Sequence, residues 1–387
     1  YVDPRKDGGK VTKLAFESDE QLVEYVPDFQ GEEWLCYKGW PLTVGFMRGT
    51  YADEDGNITF DHESVMNEGL SVAMAAKNTG GIVIVQVEYL AQRGTLDPKK
   101  VQIPGIMVDY VVQATEKDCC WQTEGVYYEP AFSGQIKKPL DQLPVLDLSP
   151  RKVICRRCAQ ELAPGSICNL GVGIPADVAS IVAEEGQLDK ITITAEAGGV
   201  GGVPAALPNF GSNYNAQAIM RHNDMFDFID GGGLDITVLG LAEADSEGNL
   251  NVSKFGNRLS GPGGFIDITQ SAKKVVFAGT FMAHAKEEIA DGALKIVEEG
   301  TAEKFVEHVQ QVTFSGKYAG KDQTVLYVTE RAVFQLIDGA VTLIEVAPGI
   351  DVEKDVIAHM GFTPAVSDDL KTMDAALFQE KWGGLSV

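Results

Sequence analysis

Read for the spacing of apolar and polar positions, the chain alternates between two kinds of segment. IVIVQV (Ile82 to Val87), ITVLGL (Ile236 to Leu241) and KVVFA (Lys274 to Ala278) are continuous apolar runs bounded by turn residues. Such runs mark strands buried on both faces, as in parallel sheets. Between them lie segments of helical period: Glu63 to Asn78, KVICRRCAQELA from Lys152, and PADVASIVAEEG from Pro175. SICNLGVGIPADVASIVAEEG reads as strand, tight turn and helix, and ITITAE as the next strand. Strands alternating with helices predict an α/β fold with mostly parallel sheets. After about Glu288 the pattern changes. TVLYVTERAVFQLIDGAVTLIEVA has period-two strands around Asp338-Gly339, a β-hairpin signal, and DVEKDVIAHMGF after it reads as a short helix.

The pattern also repeats. RGTYADEDGNITF (Arg48 to Phe60) is echoed by LGLAEADSEGNLNV (Leu239 to Val252), and AAKNTGGIVIVQV (Ala75 to Val87) by SAKKVVFAGTF (Ser271 to Phe281). The two echoes have nearly the same offset, so one α/β unit is expected twice. The second copy has a helix, strand, turn and helix in front of it; the first has no counterpart, and the chain opens without Met. The front of the first half is therefore expected before Tyr1. PLDQLPVLDLSP (Pro139 to Pro150) reads as the linker. The expected organisation is residues 1–138 as the later part of a first domain, 139–150 as linker, and 151–387 as a second domain carrying the site.

Composition narrows the function. The chain has 387 residues, enough for more than one core, and a formal net charge of −24. That charge repels phosphate backbones and argues against non-specific nucleic-acid binding. No apolar run is long enough to cross a bilayer and no secretory signal opens the chain, so a cytoplasmic enzyme is expected. Of the six cysteines, Cys155 and Cys158 form a CxxC without a partner pair, which fits one face of a helix better than a zinc or redox site. None of the five histidines stands at metal-ligand spacing, so no metal is expected, and they read as surface or packing residues.

The candidate chemistry lies where strands meet glycines. ITITAEAGGVGGVP ends a β-branched run on Glu196 and continues through Gly198, Gly199, Gly201 and Gly202. GVGIPA, with Gly171, Val172 and Gly173, joins a strand to a helix, and its GxGxxA form with Glu196 downstream also outlines a dinucleotide-binding fingerprint. A nicotinamide-dependent oxidoreductase is therefore the alternative function. SGPGGF places Gly261, Gly263, Gly264 and Phe265 where free amides can bind an oxyanion, and Gly231 to Gly233 precede a core strand. Ligands of open α/β sheets bind beyond the carboxyl ends of strands, where Glu196 stands.

These motifs together (NLGVGIP, Glu196-Ala197-Gly198 with GGVP, FDFIDGGGLD, EGNLNVSKFGNRLSGPGGFID, KKVVFAGTF and EVAPGIDVEKDVIAHMGF) resemble the family I CoA-transferases. The nearest subgroup is the single-chain acetate/propionate enzymes. The resemblance spans essentially the whole chain. It implies two similarly folded α/β halves and a homo-oligomer, dimer or tetramer. It also implies a ping-pong transfer of CoA between a short-chain acyl-CoA and a free carboxylate, with coenzyme A as substrate and covalent intermediate and no permanent cofactor. It casts Glu196 as the nucleophile that becomes a glutamyl-CoA thioester, and Val172 and Gly264 as oxyanion amides. Gly171, Gly173, Gly198, Gly199, Gly261, Gly263 and Phe265 would lie along bound CoA. Ala197 stands where relatives carry a polar or larger residue. A catalytically inactive, truncated CoA-ester-binding protein, or an acyl-CoA hydrolase using the same nucleophile, are further readings.

Overall fold

The computed structural model describes residues 5, 8–10, 12–139, 145–320 and 322–387. It divides into two compact units, Tyr1–Thr59 with Gly69–Gln113, and Phe60–Glu68 with Ala114–Val387. The expected linker at 139–150 thus falls within the larger unit, with 140–144 outside the described residues. No helix among the described residues is long and apolar enough to cross a membrane.

The smaller unit holds a five-stranded sheet. Its strands are β1 (Val44–Asp53), β2 (Ile58–Thr59), β3 (Ile82–Ala91), β4 (Val101–Ile103) and β5 (Tyr110–Gln113), in the order β4-β2-β1-β3-β5. β1, β3 and β5 run parallel. Helix α1 (Gly69–Asn78) buries Ala73 and Ala76. It begins later than the periodicity from Glu63 predicts, because Asn67 takes a left-handed conformation (φ +47°), which a helix cannot continue through.

The larger unit is built on a ten-stranded sheet. In chain order its elements are α2 (Pro150–Ala159), β6 (Ile167–Leu170), α3 (Val178–Glu184), β7 (Thr192–Thr194), β8 (Gly199–Val200), β9 (Ala218–Ile219), α4 (His222–Asp230) and β10 (Ile236–Gly240). They continue with α5 (Phe265–Ser271), β11 (Lys274–Ala278), β12 (Thr324–Val328), β13 (Ala332–Ile337), β14 (Ala340–Val346) and β15 (Ala365–Thr372). The sheet order is β9-β8-β7-β6-β10-β11-β12-β13-β14-β15. The run from β7 to β12 is parallel throughout. Antiparallel strands extend it on both sides.

The continuous apolar runs have the meaning expected of them. In β10, Ile236 and Val238 face a core shared with α2 and α3, while Leu239 faces a second core with α4 and α5. β11 alternates likewise, Val276 and Ala278 against Val275 and Phe277. The predicted hairpin is β13–β14, turned by Asp338 (φ +50°) and Gly339 (φ +80°), the two positive torsions of a tight hairpin turn. The helix expected in DVEKDVIAHMGF is reduced to one wide turn, Val352–Val356, and a 3₁₀ turn, Ile357–His359. The stretch is too short for helical hydrogen bonding to propagate far, and Gly361 N is already drawn to Phe305 O.

The internal echo is real in atomic detail. After β1, Asp53 Oδ1 accepts from the amides of Asp55 and Asn57, Asn57 Nδ2 donates to Asp53 Oδ2, and Asn57 Oδ1 accepts from Gly105 N. After β10, Asp245 Oδ1 accepts from Glu247 and Asn249, Asn249 Nδ2 donates to Asp245 Oδ2, and Asn249 Oδ1 accepts from Gly316 N. A Cβ on Gly105 would lie 1.9 Å from Asp55 O, and one on Gly316 2.1 Å from Glu247 O. In both units the turn is followed by a helix, an Ala-Lys pair and the next parallel strand, β3 or β11.

Candidate active site

Glu196 sits at the tip of the tight link between β7 and β8. The link is closed by Gly198 N donating to Ala195 O (2.9 Å) and Ala195 N donating to Gly199 O (2.8 Å). Gly198 has φ +113°, and a Cβ there would lie 2.0 Å from Met220 O. A Cβ on Gly199 would meet the Asn213 side chain at 2.7 Å, and one on Gly202 would meet Tyr214 O at 2.0 Å. These glycines therefore have a reason independent of any ligand. The chain's own segment 213–220 lies against the turn, in the space side chains would take. The outcome is a carboxylate held out at the end of a parallel strand by a rigid loop.

The Glu196 side chain is half-buried. Burial pushes its carboxyl above the usual carboxylate range, and the nearby His222 works in the opposite direction. Gly264 caps the N-terminus of α5 with φ −78°. A Cβ on it would lie 3.0 Å from Glu196 Oε2 and 2.4 Å from Phe226 Cζ. Only a residue without a side chain lets the start of α5 come this close to the carboxylate. The N-terminus of α5 also brings the positive end of its dipole to that side.

The remaining predicted residues fall at different distances from this pair. Gly171 to Gly173 follow β6, the strand next to β7, and Asn169 of β6 is in register with Thr194 of β7. The two turns thus leave the same end of adjacent strands. Gly171 N donates to Val238 O (2.9 Å), and a Cβ on it would strike Leu239 Cδ2 at 2.7 Å. Val172 is half-exposed, and Gly173 (φ +86°) faces open space. Gly261 (φ +78°) and Gly263 (φ +55°) also face open space on the way into α5. The Phe265 ring lies in the core, stacked on Phe277 with centroids 5.8 Å apart. Gly231 to Gly233 end α4 and lead into the start of β10, the opposite end of the sheet from Glu196. A Cβ on Gly233 would collide with the Phe228 ring at 2.5 Å, so packing accounts for it.

His222, read from the sequence as a surface or packing residue, is partly exposed and packs beside the surroundings of Glu196. At the first position of α4, its Nδ1 contacts Glu68 Oε1, and its ring meets Phe226 edge-on at 5.0 Å. No spacing rule could find this group, because Glu68 is remote in sequence and pairs with His222 only in the folded unit. The CxxC behaves as the helix-face reading expects. Cys155 and Cys158 are buried on α2, and burial pushes the Cys158 thiol up to about 12 and the Cys155 thiol well above its ordinary value. They are inert thiols, and among the described residues no cluster of ligands could hold a metal ion.

Comparison with known proteins gives this geometry its family. The family model for Coenzyme A transferase matches residues 2–114 and 152–356. The chain is 60% identical to a caffeate CoA-transferase of Acetobacterium woodii over 100% of its own length and 74% of the relative's. It is 41% identical to the acetate CoA-transferase YdiF of Escherichia coli K12 over 98% of its own length and 70% of the relative's. The crystal structure of E. coli O157:H7 YdiF as a thioester complex with CoA superposes with a TM-score of 0.90 at 40% identity, covering 100% of this chain and 72% of that one. The apoenzyme superposes with a TM-score of 0.91. With a family model spanning both units and full-length relatives of this kind, the chain belongs to the coenzyme A transferase family and is a CoA-transferase enzyme.

Proposed function

We propose that the chain moves CoA between a short-chain acyl-CoA and a free carboxylic acid through a glutamyl-CoA thioester on Glu196. The observation that carries this reading is the Glu196 carboxylate, half-buried at a strand end with Gly264 against its oxygen. A carboxylate is an anionic nucleophile that needs no general base, and here burial raises its pKa while His222 opposes that rise. It attacks the acyl-CoA carbonyl and expels CoA thiolate, leaving a mixed anhydride. The thiolate attacks the glutamyl carbonyl and releases the first acid as its carboxylate, leaving CoA bonded to the enzyme. The acceptor carboxylate attacks that thioester to give a second anhydride and thiolate, and the thiolate takes the new acyl group and frees Glu196. Each thioester broken is matched by one formed, and the kinetics are ping-pong.

Partial removal of the carboxylate from water raises its basicity and strips hydration that would blunt attack. Each tetrahedral intermediate carries an oxyanion. We assign its stabilisation to the amides of Gly264 and Val172, one such donor contributing roughly 2.7–4 kcal/mol. Gly173, Gly261 and Gly263, which face open space, are proposed to border the bound CoA, whereas Gly171, Gly198, Gly199 and the core residue Phe265 are packed against the chain's own atoms and support the site from beneath. The two stretches matched by the family model support reading the chain as two CoA-transferase parts in sequence.

The relative that acts on caffeate favours a second reading of the acid alone, an aromatic acrylate in place of a short aliphatic acid. Competition decides between them, with acetyl-CoA as donor and propionate and caffeate supplied together. The mechanism is tested by mass spectrometry after incubation with acetyl-CoA without acceptor. The Glu196 peptide should gain the mass of CoA less water and lose it on adding propionate. Glu196→Ala should abolish both the adduct and turnover. Turnover of that variant at the wild-type rate would end the proposal.

A further inference from the structure

We propose that Glu68 and His222 form a positioning pair that sets the electrostatic surroundings of the Glu196 carboxylate. The inference deepens the reading of Glu196 as nucleophile and rests on it. The segment before α1 and the start of α4 meet here. His222 N donates to Asn67 O at 3.2 Å, and the His222 ring contacts Glu68 through Nδ1. Both side chains are partly exposed, at 31% for His222 and 44% for Glu68, so the pair is not a buried structural bridge. From His222 a line of contacts leads to the nucleophile. Its ring meets Phe226 at 5.0 Å, Phe226 lies against Gly264, and Gly264 lies against Glu196 Oε2.

The charges around His222 make its effect directional. Glu68 approaches from the segment before α1 and Glu196 from the β7–β8 turn. Arg221 and Asp224 belong to the cap and first turn of α4 itself. From α5 the first charge is Asp267, which acts on Asp230. Glu68 fixes the His222 ring on the nucleophile's side, and His222 opposes the effect of desolvation on the Glu196 carboxyl. Glu68 touches no reacting atom in this scheme and acts only through His222.

The test compares wild type with His222→Gln, Glu68→Gln and His222→Lys, measuring kcat/KM against pH with acetyl-CoA and propionate and thermal unfolding in parallel. Removing the imidazole should raise the Glu196 pKa, so the acid limb should move to higher pH by about one unit in His222→Gln. It should move the same way but less in Glu68→Gln, and return toward wild type in His222→Lys, which supplies a cation. A purely structural role would lower the unfolding temperature and leave the limb in place. If His222→Gln fails to fold, Glu68→Gln carries the same decision. An acid limb at its wild-type position in folded His222→Gln or Glu68→Gln overturns the inference. Adduct trapping on wild type separates the two failures. An adduct with an unmoved limb sinks only the pair, whereas absence of the adduct sinks the nucleophile as well.

Discussion

Replacing Gly264 by alanine isolates the contact on which the site depends. The backbone at Gly264 has φ −78°, which alanine adopts freely, so the substitution carries no torsional cost. Its whole effect is the added Cβ, 2.4 Å from Phe226 Cζ and 3.0 Å from Glu196 Oε2. Ordinary contact begins near 3.4 Å, so the ring must retreat by about 1 Å and the carboxylate by a few tenths. Phe226 is only partly buried and can give way, so the stability loss should be about 1 kcal/mol, the low end of overpacking. That corresponds to about 2 °C in unfolding temperature. Catalysis should suffer more, because the atom moved is the reacting one: about 100-fold is lost for a displacement of about 1 Å, so a few tenths should cost several-fold. Gly232→Ala is the control. Its Cβ would enter open space at the far end of the sheet, but φ is +87°, so backbone strain of about 1 kcal/mol falls on stability and leaves the carboxylate untouched. Single-turnover formation of the Glu196–CoA adduct, followed by quenched-flow mass spectrometry, reads the first effect, and calorimetry the second. Gly264→Ala forming the adduct at the wild-type rate would refute the reasoning.

Two predictions concern the buried charges next to β13. Burial, aided by Glu287, pushes the carboxyl of fully buried Glu330 up to about 8. Between the ordinary carboxylate range and about pH 8 the folded state keeps a proton that the unfolded state has lost, so stability should fall as pH rises through that window. Glu330→Gln, which keeps an acceptor for Phe281 N, should flatten this dependence in urea titrations at pH 5.5, 7 and 8.5; an unchanged slope would reject it. Arg331 is also fully buried and pairs with Glu287 (2.7 Å) and Glu299 (2.8 Å). Arg331→Met should cost about 3–5 kcal/mol in urea unfolding, because the Glu287 carboxylate is left buried and unpaired. A loss under about 1 kcal/mol would mean that the pairing contributes little beyond its desolvation cost.

Much of this protein follows from local chemistry alone. A continuous apolar run such as ITVLG needs two apolar faces, so it reports a doubly covered parallel strand before any partner is known. Asp-Gly at 338–339 dictates its own hairpin, and the Asp-Gly-Asn and Glu-Gly-Asn turns carry their internal hydrogen bonds within a few residues. Glu196 was legible for the same reason, as a carboxylate ending a β-branched run and followed by glycines. What those glycines accommodate was decided elsewhere in the chain, because the atoms that exclude a Cβ at Gly198 and Gly202 belong to Met220 and Tyr214. The triple glycine at 231–233 shows the same limit, since sequence cannot say at which end of a sheet a turn will lie. The environment of the carboxylate is also tertiary. Gly264, Phe226, His222 and Glu68 come from three separate segments, and electrostatic and steric contacts act through distance in space, which the fold alone sets.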